Sequence, residues 1–149
     1  MIITAAPAGM GRLLKMVERI NSAAETQIVV LDDYLPPALL VELADGVRVV
    51  SPLIDSAPQL LQWMLNGTVG KGDHLYINWP LKYTPEDFCA MDYLAGYLGV
   101  HLHLEIQLPD SSIEKLAARG VETLVIEWDS YSEPVENHST AWLCDMGVC

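Results

Sequence analysis

Apolar residues fall along this chain in six short runs, and between the runs they recur every three or four positions. The runs are MIITAA (1–6), QIVVLD (27–32), VRVVS (47–51), HLYINW (74–79), HLHLEIQL (101–108) and ETLVIEW (122–128). They are rich in Val, Ile and Leu, and most are apolar on both faces, which suits a parallel sheet covered by helices on both sides. The intervening segments carry a helical period. GRLLKMVERINSA places Leu13, Leu14, Val17 and Ile20 on one broad face. PPALLVELA opens on Pro36 and Pro37, which favour a first helical turn. SAPQLLQWMLNG has a Ser56 cap and a Gly67 stop. TPEDFCAMDYLAGYLG has Thr84 as cap, Pro85 at the first helical position, acids in the first turn and Gly99 as stop. PDSSIEKLAARG runs from Asp110 or Ser111 to Gly120.

Strict alternation of strand and helix predicts a three-layer α/β fold, with a mainly parallel sheet of five or six strands of the P-loop or Rossmann-like type. VRVVS is the weakest strand, since its arginine and short length also suit an extended loop. With no internal repeat and no linker, residues 1–129 read as one domain. Residues 130–149 lack a clear period but contain Trp142 and Leu143, so they are expected to pack on the same body as a helix or an ordered tail.

Composition narrows the partners. The 149 residues are 51% hydrophobic, which marks a globular chain with a real core. A formal charge of -12, spread along the chain, repels nucleic acid phosphates and anionic membranes. No stretch approaches the roughly eighteen apolar residues of a membrane span. The three cysteines, Cys89, Cys144 and Cys149, show no metal-ligand spacing. The opening MIITAAPAGMG has neither the basic start nor the long apolar run of a secretion signal. The expected setting is therefore the reducing cytoplasm, with free thiols.

Ligands of such folds bind at the carboxyl ends of the strands. The positions to inspect are Pro7 to Arg12, Asp32 and Asp33, Asn78 to Lys82, and Pro109 to Ser112. The first of these, APAGMGRL, can be laid on the phosphate loop GxxxxGK[ST], in which backbone amides wrap phosphate, lysine neutralises charge and a hydroxyl holds magnesium. Ala6 then falls at the first glycine, Gly11 at the second, Arg12 at the lysine and Leu13 at the hydroxyl. Leu13 cannot bind magnesium, and a guanidinium is not a lysine point charge. The turn Ala8, Gly9, Met10, Gly11, Arg12 still offers amides at a helix start that can hold an anion. A second alignment matches TAAPAGMG to the dinucleotide turn TGxxxGxG, with Asp32 or Asp33 meeting a ribose hydroxyl. No Tyr-x-x-x-Lys pair accompanies it. The third reading is a tight strand-to-helix turn with no ligand.

HLYINWPLKYTPEDFCAMDYLAGYLGVHLHLEIQLPDSSIEKLAARG resembles the central part of adenylate kinase and related nucleoside monophosphate kinases. In that family a strand ends in Asp-Gly-Phe-Pro-Arg, a helix follows, then a strand ending in Pro-Asp, then a helix with two arginines. Trp79 and Pro80 stand at the Phe-Pro positions, and Lys115 and Arg119 fall where the two arginines would be. VVLDDYL occupies the place of the family's Gly-Asp and its AMP-binding arginine. The resemblance spans roughly residues 1 to 120 and implies a nucleotide site with magnesium and ATP.

The departures from the family are specific. Leu81 replaces the arginine after Phe-Pro, with Lys82 beside it, and Pro36 or a neighbour replaces the AMP-binding arginine. Ile77 and Asn78 stand at Asp-Gly, and the ATP lid is absent, because ETLVIEW follows Gly120 within two residues. Phosphoryl transfer depends on positioning and charge neutralisation, and losing one such group costs orders of magnitude in rate. The expectation is a scaffold that binds a nucleotide or a protein without kinase chemistry. The alternatives are a small active kinase using Arg12 and an NAD(P)-binding module.

Three other groups stand out. His101, His103 and Glu105 share a strand face and could chelate zinc, although polar sheet positions have commoner uses. The cysteines fit no familiar redox motif. Trp128 and Trp142 lie in the most divergent region and suggest either core packing or a protein-binding surface on the tail.

Overall fold

A computed structural model describes residues 1–7, 11–24, 27–80, 82–121, 123–128 and 147. In chain order its elements are β1 (Ile2–Pro7), α1 (Arg12–Ser22), β2 (Ile28–Leu31), α2 (Pro37–Leu40), β3 (Arg48–Val50), α3 (Ala57–Met64), β4 (His74–Trp79), α4 (Pro85–Leu98), β5 (His101–Leu108), α5 (Asp110–Ala118) and β6 (Leu124–Glu127). All six apolar runs are strands of one sheet, ordered β3-β2-β4-β5-β1-β6. Only β6 runs antiparallel, beside β1. VRVVS is a strand, paired with β2 at one edge and largely exposed.

Helices cover both faces, which gives three layers. Leu60 and Met64 of α3, Phe88 and Met91 of α4, and Leu116 of α5 pack on Leu31, Leu75, Ile77, Leu102, Leu104 and Ile106 in the larger core. Met16 and Ile20 of α1 pack with Ile28, Val30 and Leu35 in a smaller one, against which Leu40 of α2 also rests. Only β2 is buried at every position. β4 and β5 are two-faced. Their apolar residues enter the larger core, while His74, Tyr76 and Asn78 of β4 and His101, His103, Glu105 and Gln107 of β5 occupy alternate positions on the α1 side.

The caps follow the sequence signals. Thr84 accepts from the Asp87 amide while the Asp87 carboxylate accepts from the Thr84 amide, a full capping box. Ser56 caps α3, and Gly99 ends α4 in the left-handed region at φ 71°. One helix differs from expectation. α2 is a single turn, because no side chain caps it and none of its residues is buried. α5 starts at Asp110, one of the two expected starts, and ends at Ala118, just short of Gly120. Trp128 is buried, with its ring 5.4 Å from that of Phe88, in line with core packing. Trp142, Leu143, Cys144 and Cys149, with nearly all of the tail, lie outside the described residues. Among the described residues no helix is long and apolar enough to cross a membrane.

Candidate functional site

Strand order decides which loop residues meet. β1, β5, β4 and β2 are parallel neighbours, so their carboxyl ends form one edge. At that edge the chain leaves β1, turns through Gly11 at φ 67°, and enters α1. A side chain at Gly11 would be strained in this left-handed conformation, so glycine suits the position. Ala8, Gly9 and Met10 lie outside the described residues.

Arg12, the first residue of α1, is buried and reaches back across the sheet. Its Nη1 donates to Asn78 Oδ1 at 2.9 Å and lies 3.8 Å from Glu105 Oε1. Asn78 Nδ2 in turn donates to the Tyr34 carbonyl at 2.8 Å, which ties the ends of β2 and β4 together. One helical repeat further on, Arg19 donates to Glu105 Oε2. Two guanidiniums thus flank one buried carboxylate whose Oε1 has no hydrogen-bond partner. Burial raises the Glu105 pKa to about 7, against the opposing pull of Arg19 and Arg12. Burial also lowers the pKa of Arg12, with Glu105 opposing.

Beside Arg12 opens a cavity of about 490 Å³, lined by Ala6 and Pro7 of β1, Arg12 and Lys15 of α1, Ile113, Leu116 and Ala117 of α5, and Gly120, Val121 and Thr123 beyond it. One wall is cationic and the other is apolar. Such a cleft can take a ligand with an anionic end and a flat or apolar body.

The remaining sequence candidates lie apart from this cavity. Asp33 accepts from the Leu53 amide at 2.9 Å and the Ile54 amide at 3.3 Å, holding the loop after β3. Asp32 is half-buried at the end of β2, and its amide donates to the Val50 carbonyl. Lys82 is exposed beyond β4, Lys115 is exposed on α5 and Arg119 just after it, and none of the three lines the cavity. Cys89 is an exposed free thiol on α4. His101, His103 and Glu105 do share a face, but Glu105 faces the arginines, and His103 Nε2 lies 3.1 Å from His74 Nδ1. Among the described residues no cluster of His, Cys, Asp or Glu could hold a metal ion.

Sequence reasoning overlooked Lys15, Arg19 and the pairing of Glu105 with arginine. A signal for it existed: Arg12 and Arg19 are seven residues apart, hence on one helix face, and a glutamate inside a central parallel strand needs a cationic partner. No family model, no curated protein and no solved structure matches this chain.

Proposed function

We propose that this protein binds a compact anionic metabolite, a nucleotide in the first instance, in the cavity between the start of α1 and α5, and that it does so without transferring phosphate. The observation that carries the proposal is the cavity itself. It lies at the carboxyl ends of parallel strands, with Arg12 and Lys15 on one wall and Ile113, Leu116 and Ala117 on the other. In a molecule of formal charge -12 this is a local concentration of positive charge where an anion is welcome. Phosphate would meet Lys15 and the amides at the helix start, and a base would lie on the α5 wall. The resemblance to nucleoside monophosphate kinases points to the same edge of the sheet.

Binding without transfer follows from what surrounds the loop. Leu13 offers no oxygen to magnesium, the Arg12 guanidinium is engaged with Asn78 and Glu105, and Lys82, Lys115 and Arg119 stand outside the cavity. Transfer needs several converging cations. The dinucleotide reading has less support. In that fold the first strand sits centrally beside the second, whereas here β4 and β5 separate β1 from β2, and Asp33 is occupied by the amides of Leu53 and Ile54.

Lys15→Glu tests the site. Lys15 is exposed and bears no packing role, so the variant should fold normally and bind AMP at least about tenfold more weakly by calorimetry, a loss of about 1.4 kcal/mol. Unchanged affinity would remove this cavity from consideration. Wild-type protein incubated with magnesium, ATP and AMP should form no ADP, and measurable ADP formation would replace a binding role with a kinase.

A further inference from the structure

Arg12 faces two ways. It lines the cavity assigned above, where it and Lys15 are the only charged side chains among the described lining residues. It also lies against Glu105, a carboxylate only 3% exposed that is not part of that lining. The approach of Arg12 Nη1 to Glu105 Oε1, 3.8 Å, is too long for a hydrogen bond, and Oε1 makes none. Nη1 donates to Asn78 Oδ1 instead, and Arg19 is the guanidinium that hydrogen-bonds Glu105. Charge alone therefore joins Arg12 to Glu105, and it acts where little water screens it. A smaller cavity, of about 180 Å³, has Glu105 and Arg19 in its wall but neither Arg12 nor Lys15. The link from Glu105 to the larger cavity runs through Arg12.

An anion in the larger cavity is attracted by Arg12 and repelled by an ionised Glu105 behind it. We infer that Glu105 sets how strongly the larger cavity holds an anion: its negative charge offsets Arg12, and a neutral Glu105 leaves Arg12 to the ligand. This role presupposes the anionic ligand assigned to the cavity above, and adds the residue that controls its affinity. Glu105 acts through Arg12 and does not touch the ligand, so it is a positioning residue. The effect is reciprocal: neutralising Glu105 favours the anion, and the anion favours a proton on Glu105. The charged groups that face Glu105 are Arg12 and Arg19 of α1. Thr4 of β1 and Asn78 of β4 are its register partners and do not titrate, while Tyr76 of β4 and His103 of β5 line the smaller cavity beside it. Burial holds the carboxyl at about 7, so both of its charge states occur near neutral pH.

The test compares AMP with adenosine, its uncharged counterpart, by calorimetry on the full chain at about pH 8.5, where Glu105 is ionised. Glu105→Gln keeps the shape and removes the charge. It should bind AMP about tenfold more tightly than the wild type, with its affinity for adenosine unchanged. Glu18→Gln removes an exposed acid from the same helix as Arg12 and should leave both affinities as they are. In the wild type, the carbon-13 shift of the Glu105 side-chain carboxyl is followed over pH. Its midpoint should rise by about one pH unit when AMP is bound, the counterpart of a tenfold change in affinity, and adenosine should leave it in place. Equal AMP affinity in the wild type and Glu105→Gln overturns the inference, as does a matching gain for adenosine or the same gain in Glu18→Gln. A Glu105 midpoint that AMP leaves unmoved overturns it too, and this wild-type measurement decides the matter even if Glu105→Gln fails to fold. Each of these results leaves nucleotide binding standing. No AMP binding by any of these proteins removes the cavity's assignment and the role of Glu105 together.

Discussion

Glu105 of β5 and Arg12 of α1 are an ion pair buried on the α1 side of the sheet, and each depends on the other. Because the folded Glu105 pKa, about 7, is above its ordinary 4.5, the native state holds an extra proton between these values. The stabilisation from this protonation is full below the unfolded pKa and is lost as pH rises through about 7. Urea unfolding should therefore show wild-type stability falling between about pH 5 and about pH 8, with Glu105→Gln flattening that slope. A wild-type profile as flat as that of the variant would mean that Glu105 titrates normally. Arg12→Met removes a charge from the pair and a donor from Asn78. It should cost about 2–3 kcal/mol at high pH, and less in mild acid, where Glu105 escapes the loss by protonation. Equal losses at both pH values would contradict the pairing. The charge of Glu105 was visible in HLHLEIQL as one acid inside an apolar run. Its partners were not, because they come from a helix about ninety residues earlier in the chain.

Elements were more legible than their arrangement. Strands announced themselves as short runs of β-branched and leucine residues, and the caps at Ser56, Thr84 and Gly99 follow from local hydrogen bonding that needs no tertiary information. PPALLVELA was less legible: its periodicity spans more residues than the one turn that forms, since none of the residues of that turn is buried and Val41 remains 79% exposed. The cap predictions are quantitative. Thr84→Ala removes half of the capping box and should cost about 1 kcal/mol in chemical denaturation. Gly99→Ala places a methyl at φ 71° and 3.0 Å from Lys71 Cγ, with the Lys71 backbone at 3.4 Å, so it should cost at least about 1 kcal/mol. A neutral result at Gly99 would mean that the α4 to β5 turn relaxes freely. The order of strands is a different matter. Nothing local in MIITAA says that it pairs with β5 rather than with β2, because that choice is made by long connections and by which faces need burial.

At the scale of the whole molecule, one sheet separates two unlike chemistries. Its α3 and α4 side is a continuous apolar core, while its α1 side carries histidines, an asparagine and a glutamate met by two arginines. Arg12 links the strand ends to the polar strand face, since it lines the larger cavity and pairs with Glu105. That AAPAGMGRLL would lead into the larger cavity was legible from the strand, glycine and helix sequence. That α5 would supply its apolar wall was not, since Ile113 and Ala117 read only as ordinary helix residues. The central claim is that this cavity binds a nucleotide without phosphate transfer. Its most direct test is a thermal-shift titration with ATP, ADP, AMP and NADP, each with and without magnesium. A ligand specific for the folded state, at about a hundred times its dissociation constant, adds about 2.7 kcal/mol, or several degrees in a domain of this size. The expected result is a shift with an adenine nucleotide that is the same with and without magnesium, because Leu13 stands where a magnesium-binding hydroxyl would be. No shift with any of the four would contradict nucleotide binding, and a shift that requires magnesium would contradict the loss of kinase chemistry.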